Sequence, residues 1–272
     1  MSRCTLRCAM AALLLLVLSS CESVSKNAPA DIQTVTPYST VWSAVPEVDL
    51  QSRPAELVRA TLEAGALALW AGVERSFPGY ATAIADISAE RYSSLFGSKD
   101  QPENGNNGPQ TVLYSYHLAH LQHSGTSVKA TVCTLRQWLR THRATMPSTS
   151  TFATETDPTT FTIQLQRPRD SAEGRPTPDR SRSHSFNGLQ VPNWDVFSGW
   201  TVTALEDDPD GNYSQPTCTG WWKQKFPGWV LPSSRPWDFH PRHDVGDWAL
   251  EVSVNQLPPN FPEWIAPPAS LQ

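Results

Sequence analysis

His117, His120 and His123 lie close together, and imidazole is both a zinc ligand and a proton acceptor near neutral pH. The surrounding Thr, Val and Tyr residues predict a strand, and strand alternation works against a shared metal. It sets His117 and His123 on one face about 20 Å apart, with His120 on the other, so no metal is expected there. His117 or Tyr116 would suit acid–base chemistry if the strand lined a pocket; a locally hydrogen-bonded or solvent-facing strand histidine is the simpler reading. A second group, Asp238, His240, His243, Asp244 and Asp247, gathers oxygen and nitrogen ligands in one short run. Pro241 blocks the helix that would align His240 with Asp244, and Arg242 supplies a counter-charge, so a salt-bridged loop is expected. Glu206-Asp207-Asp208-Pro209-Asp210-Gly211 imitates the start of a calcium loop, but Thr217 stands where the bidentate Glu belongs, and the run reads as an Asp-Gly turn. No nucleophile elbow or Gly-rich phosphate loop occurs, and no cofactor is implied. Trp221, Trp222, Trp229 and Trp237 offer another chemistry, stacking on sugar rings or on a partner surface. The competing use is packing against a sheet in place of aliphatic side chains.

The N-terminus carries the strongest signal. Arg3 and Arg7 flank the start of an apolar run over 9–18, too short to span a bilayer and suited to the core of a signal peptide. Leu18-Ser19-Ser20-Cys21 then resembles the bacterial lipobox, in which cleavage falls just before a cysteine whose thiol receives a diacylglycerol. That resemblance implies a signal peptide over 1–20, Cys21 as the acylated first residue, and a lipid anchor on the extracytoplasmic face of the cell membrane. Two acyl chains anchor stably where one binds marginally. A plain secretory signal that leaves Cys21 unmodified is the alternative. On the lipobox reading Cys4 and Cys8 leave with the signal, so Cys133 and Cys218 remain as one pair outside the reducing cytosol. They are expected to be bonded, two separate buried thiols being the alternative.

The 272 residues, 39% of them hydrophobic, suffice for one good core with extensions, and the net charge of −5 gives no basic face for nucleic acid. Residues 21–52 suit a tether, although Tyr38, Val41, Trp42 and Val45 are apolar enough to dock on a domain. Ser52, Pro54 and Glu56 predict a helix start, and Val58, Leu62, Ala66, Leu69, Val73 and Phe77 continue its apolar face up to Pro78-Gly79. Tyr80, Ile84 and Ile87 predict a second short helix, and Ser88 caps a third that ends at Phe96. The organising element is a hairpin over 110–138, turned at Ser124-Gly125, with Val112, Tyr114, Tyr116, Leu118 and His120 on one face. Strands over 159–166 and 199–205 follow, separated by an Arg/Pro/Ser-rich insertion over 167–187 that reads as a solvated loop. The stretch 213–272 is rich in Trp and Pro but short of aliphatics. It is expected to wrap around the rest, held at Cys218, with one strand over 248–254.

Helices followed by strands make an α+β order, N-terminal helices packed on a curved antiparallel sheet. The lipobox at Cys21, the helices over 54–96, the strand Val128-Lys129-Ala130-Thr131-Val132-Cys133 and the strand Trp200-Thr201-Val202-Thr203-Ala204 together resemble the NTF2-like (SnoaL-like) cone domains of actinobacterial envelope lipoproteins. The resemblance covers about 54–205; the insertion over 167–187 and the tail after Asn212 depart from it. It implies an NTF2-like domain over 53–212, between the tether at 21–52 and a Trp/Pro-rich extension at 213–272, with a pocket inside the cone. The expected function is non-catalytic, an envelope lipoprotein that binds a partner protein or a small apolar ligand. Two alternatives stand beside it: cell-wall glycan binding through Trp221, Trp222, Trp229 and Trp237, and acid–base catalysis in the pocket with Tyr114, Tyr116 or His117 facing inward.

Overall fold

The computed structural model describes residues 38–96, 111–141, 151–170, 191–207, 216–225, 229–230, 240–241 and 260–265. The signal and lipobox over 1–21, the loop over 98–109, most of the insertion over 167–187, the Asp208 to Gly211 turn and the strand expected over 248–254 lie outside or almost outside them.

Alternating Thr, Val and Tyr produce the long strands β2 (Thr111–His123) and β3 (Ser127–Thr141), joined where the Ser124 hydroxyl accepts from the Ser127 N–H. With β1 (Tyr38–Ala44), β4 (Thr151–Gln166) and β5 (Thr201–Asp207) they form a five-stranded sheet in the order β1-β2-β3-β4-β5. The fold is α+β, as expected, but the sheet is mixed. β2 to β5 are antiparallel neighbours, whereas β1 runs parallel to β2. The cause is the order of elements: β1 precedes the helices, and the helical crossover returns the chain in the same direction. β1 lies within the stretch read as tether, so the folded part begins before residue 53.

The helix α1 (Arg53–Ala71) starts as expected, with Ser52 at its N-cap, Pro54 in the first turn, and Glu56 paired to Arg53 at 2.8 Å. It ends at Gly72 (φ 83°), short of the expected Phe77, because a left-handed residue breaks the ladder there and glycine adopts it without strain. The apolar spacing runs on because Phe77, past the break and a 3₁₀ turn at Val73–Arg75, still packs into the core. Two short helices follow, α2 (Tyr80–Ala83) and α3 (Ala89–Phe96), the latter capped by the Ser88 hydroxyl, which accepts from the Arg91 N–H.

Helices α1 to α3 pack on one face of the sheet, and a helix not foreseen from the sequence, α4 (Pro216–Lys225), packs on the other. A small ribbon pairs β6 (Trp229–Val230) with β7 (His240–Pro241). Among the described residues the sheet has three register shifts; one, between β3 and β4, falls at Trp138/Leu139, and the other two change which residues reach the core. In β2, Leu118 pairs with Val132 but His120 with Thr131, so Ala119 is the extra residue, and Leu121 rather than His120 follows Leu118 onto the helix side. In β4–β5, Gln164 pairs with Ala204 but Leu165 with Val202, which makes Leu205 rather than Ala204 the next buried residue after Val202.

Residues 260–265 lie along the outer edge of β1. The Phe261 N–H donates to the Thr40 carbonyl at 2.9 Å, the Trp42 N–H donates to the Phe261 carbonyl at 2.8 Å, and Asn260 Oδ1 accepts from the Thr40 N–H at 2.8 Å. This covers part of a sheet edge that would otherwise present unpaired backbone groups. Beneath it α1 holds a buried charge cluster. Glu63 lies 3.6 Å from the Arg59 guanidinium and accepts from the indole N–H groups of Trp42 (2.9 Å) and Trp264 (2.8 Å). Arg59 also donates to the Pro262 carbonyl at 2.7 Å, and its guanidinium stands 4.4 Å from the centre of the Trp264 ring.

Candidate functional site

A cavity of about 130 Å³ lies between α1, α3 and the sheet. Each wall follows from local periodicity. On β2, Tyr114 and Tyr116 point to the helix side, and register brings Arg136 and Thr134 of β3 opposite them. Thr159 and Phe161 of β4 extend that wall, being paired with Thr134 and Val132. On α1, Leu62, Ala66 and Leu69 occupy one stripe at spacings of four and three. Phe96 closes the α3 side, which Gly65 permits, since a Cβ at that position would stand 2.6 Å from the Phe96 ring.

The aromatic walls are flat. The Tyr114 and Tyr116 rings are parallel within 4° at 5.9 Å, and those of Phe96 and Phe161 within 1° at 6.1 Å. Trp42 stacks on Tyr116 at 4.5 Å, which links this wall to the buried Glu63. Polar groups share the lining: Ser94, Thr134, Arg136, Thr159 and Asp207. Asp207 lies 3.0 Å from Arg91, both about one third exposed, and Arg91 also donates to the Leu205 carbonyl. Arg136, partly buried, faces the cavity from β3.

His117 does not line this space. Alternation turns it to the α4 side, where its Nδ1 is 2.9 Å from the Ser43 hydroxyl and its ring stacks on Trp221 at 5.4 Å. Trp222 is fully buried there, donating its indole N–H to the Thr134 carbonyl at 3.1 Å, next to the Cys133–Cys218 disulfide, whose Cα atoms are 5.3 Å apart. Trp221 is 9% exposed, so Trp221 and Trp222 form no open stacking surface; the helix carries both onto the sheet as packing. The Trp229 side chain, Trp237, Cys21 and the acidic and histidine run over 238–247, apart from the backbone of His240 and Pro241, lie outside the described residues. His120 and His123 are exposed, and among the described residues no three His, Cys, Asp or Glu side chains converge as metal ligands.

Several functional candidates had no sequence signal. Arg136 sits in an alternating strand and shows its significance only once register sets it beside Tyr114. The small residue Ala66, amid larger apolar ones on α1, was the available clue to a space above the sheet.

Burial under α4 pushes the His117 imidazole below its ordinary value. The unfolded chain therefore takes up that proton first, so stability falls as pH drops through the ordinary histidine range and below. Urea unfolding of the wild type at pH 5 and pH 7 should show the lower midpoint at pH 5, with a smaller difference in His117→Phe. An equal pH dependence in the two proteins would show that His117 carries none of it.

The chain matches no protein-family model, no curated protein and no solved structure.

Proposed function

We propose that this chain is a lipid-anchored envelope protein, held at Cys21 on the extracytoplasmic side of the membrane, whose NTF2-like α+β domain binds a small apolar ligand without catalysis. The cavity between the helices and the sheet carries the reading. Its volume, about 130 Å³, compares with the roughly 150 Å³ of an apolar cavity known to accept benzene. Its lining joins apolar and aromatic side chains, Leu62, Leu69, Phe96 and Phe161, to polar groups that include Thr134 and Arg136, a mixture that small-molecule sites use for affinity and orientation.

Acid–base catalysis has less support. Of the candidates for it, His117 belongs to the α4 face, and Tyr114 and Tyr116 are held in aromatic stacks. The carboxylate in the lining, Asp207, is engaged by Arg91. Glycan binding through Trp221 and Trp222 is disfavoured by their burial. The anchor rests on the Leu18 to Cys21 motif and the charged, apolar leader before it.

Two readouts test the parts separately. Toluene should raise the thermal unfolding midpoint of the wild type by selective binding to the folded state, and Ala66→Leu, which fills the cavity, should abolish that rise. A wild type indifferent to toluene would overturn the ligand reading. Cys21→Ala should lose incorporation of labelled fatty acid and leave the membrane fraction. Continued labelling would overturn the anchor.

A further inference from the structure

We infer that the outer edge of β1 and the neighbouring face of α1 form a groove that recognises an extended Asn-Phe-Pro-x-Trp segment, and that a second copy of this chain supplies that segment, the two chains exchanging residues 260–265.

The groove reads its occupant at the backbone and at one side chain. Phe261 pairs with Val41 in parallel register, and residues 260 and 261 together satisfy the outward N–H and carbonyl of Thr40 and the outward N–H of Trp42. Adding a strand to a sheet edge in this way supplies affinity with little regard to sequence. Selection falls to the buried Trp264 indole, which donates to Glu63 Oε2 at 2.8 Å, lies against the Arg59 guanidinium at 4.4 Å and meets the Phe77 ring edge-on at 5.3 Å. Arg59 also holds the Pro262 carbonyl, so two buried charged side chains of α1 address the segment at two points.

These charges suit recognition better than permanent packing. Apolar side chains would hold a fixed strap equally well, since replacing a buried ion pair by well-packed apolar residues is often neutral or stabilising. A carboxylate that takes an indole N–H and a guanidinium that takes a carbonyl penalise any segment lacking them, because each group would then be buried short of a partner.

Nothing in the groove ties its occupant to the same copy. The hydrogen bonds of Asn260, Pro262 and Trp264 reach residues 201 to 220 positions earlier in the sequence. Between Pro241 and Asn260 lie 18 residues, 242–259, a length that spans up to about 60 Å when extended, enough to carry the segment to the same groove on a neighbouring copy. Exchange preserves every contact of the closed chain, so each copy gives one segment and receives one in a two-fold pair. The exchanged segment also carries Phe261, the one large apolar side chain left exposed among the described residues, at 56%, which a second chain would cover.

The test uses the full chain. Two preparations with different affinity tags are mixed over a range of concentrations and incubated just below the unfolding midpoint, and capture on one tag is probed for the other. Dimers carrying both tags should form in a share that rises with concentration. An excess of a peptide of residues 258–267 should cut that share by about tenfold or more by filling the groove, and the same peptide with Trp264→Ala should leave it unchanged. The full-length variant Trp264→Ala should stay monomeric; if it does not fold, the two peptides on the wild type decide the outcome without it. A wild type that is monomeric at every concentration would overturn the exchange. Uptake of labelled peptide would then leave the groove itself standing, and failure of that uptake would remove the groove as well. Dimers that resist the peptide, or that yield equally to the peptide without its indole, would overturn the inference by placing the interface elsewhere.

Discussion

Glu63→Ala is expected to destabilise the fold by about 3–5 kcal/mol, the range found when one partner of a buried ion pair is removed. Arg59 and Glu63 are both fully buried, and burial drives the Glu63 carboxyl upward from its ordinary value while Arg59 and the two indole donors oppose that shift. Without the carboxylate, Arg59 becomes a buried charge with only carbonyls and a ring face around it, and the N–H groups of Trp42 and Trp264 lose their acceptor. Urea unfolding measures the loss directly, and a change below about 1 kcal/mol would show that the pair is not excluded from water.

The double variant Arg59→Met, Glu63→Leu separates charge from packing. Apolar replacement of a whole buried pair is often close to neutral, so the double variant should regain much of what Glu63→Ala loses. The effect should reach the cavity as well. Trp42, held by Glu63, stacks on Tyr116, so Glu63→Ala loosens one wall of the proposed site and should weaken toluene binding beyond what instability explains.

Replacing both Cys133 and Cys218 by Ser is expected to cost a comparable amount. The bond closes a loop of 85 residues, which in the chain-entropy treatment is worth about 4.5 kcal/mol. Both sulfurs are inaccessible to solvent, so the two serines would also bury hydroxyl groups in an apolar cluster with Leu135 and Trp222. Beyond the disulfide, α4 is held mainly by that cluster, the Trp222 hydrogen bond to Thr134 and the Trp221 stack on His117. The helix should therefore detach before the sheet melts. Hydrogen exchange should show protection lost across 216–225 at denaturant levels where β2 and β3 remain protected. Simultaneous loss in both regions would show that α4 is part of one cooperative unit with the sheet.

Much of the architecture was legible because it is local. The start of α1 at Ser52 and Pro54, the Ser88 cap of α3, the turn at Ser124-Gly125 and the alternation of β2 as far as Leu118 each depend on residues within a few positions of one another. The Cys133–Cys218 bond is the pair that the lipobox resemblance left over among five cysteines. Position along a helix was legible but its surroundings were not. Arg59 and Glu63, four apart, have the spacing of an exposed ion pair, and they are buried only because β1 and residues 260–265 close over that face of α1.

The candidate site divides in the same way. That Tyr114 and Tyr116 share a face is a property of β2 alone, and the sequence by itself determined it, together with the α+β order and the helix starts. Tertiary structure decided that Arg136 stands beside Tyr114, that Ala119 reverses the phase of the strand before His120 could join that face, that α4 draws Trp221 and Trp222 out of solvent, and that β1 enters the sheet parallel to β2. The physical reason is range. Backbone periodicity sets which way a side chain points from its own element, whereas strand register and the covering of each face depend on contacts between residues far apart in the chain, whose energies no single stretch contains.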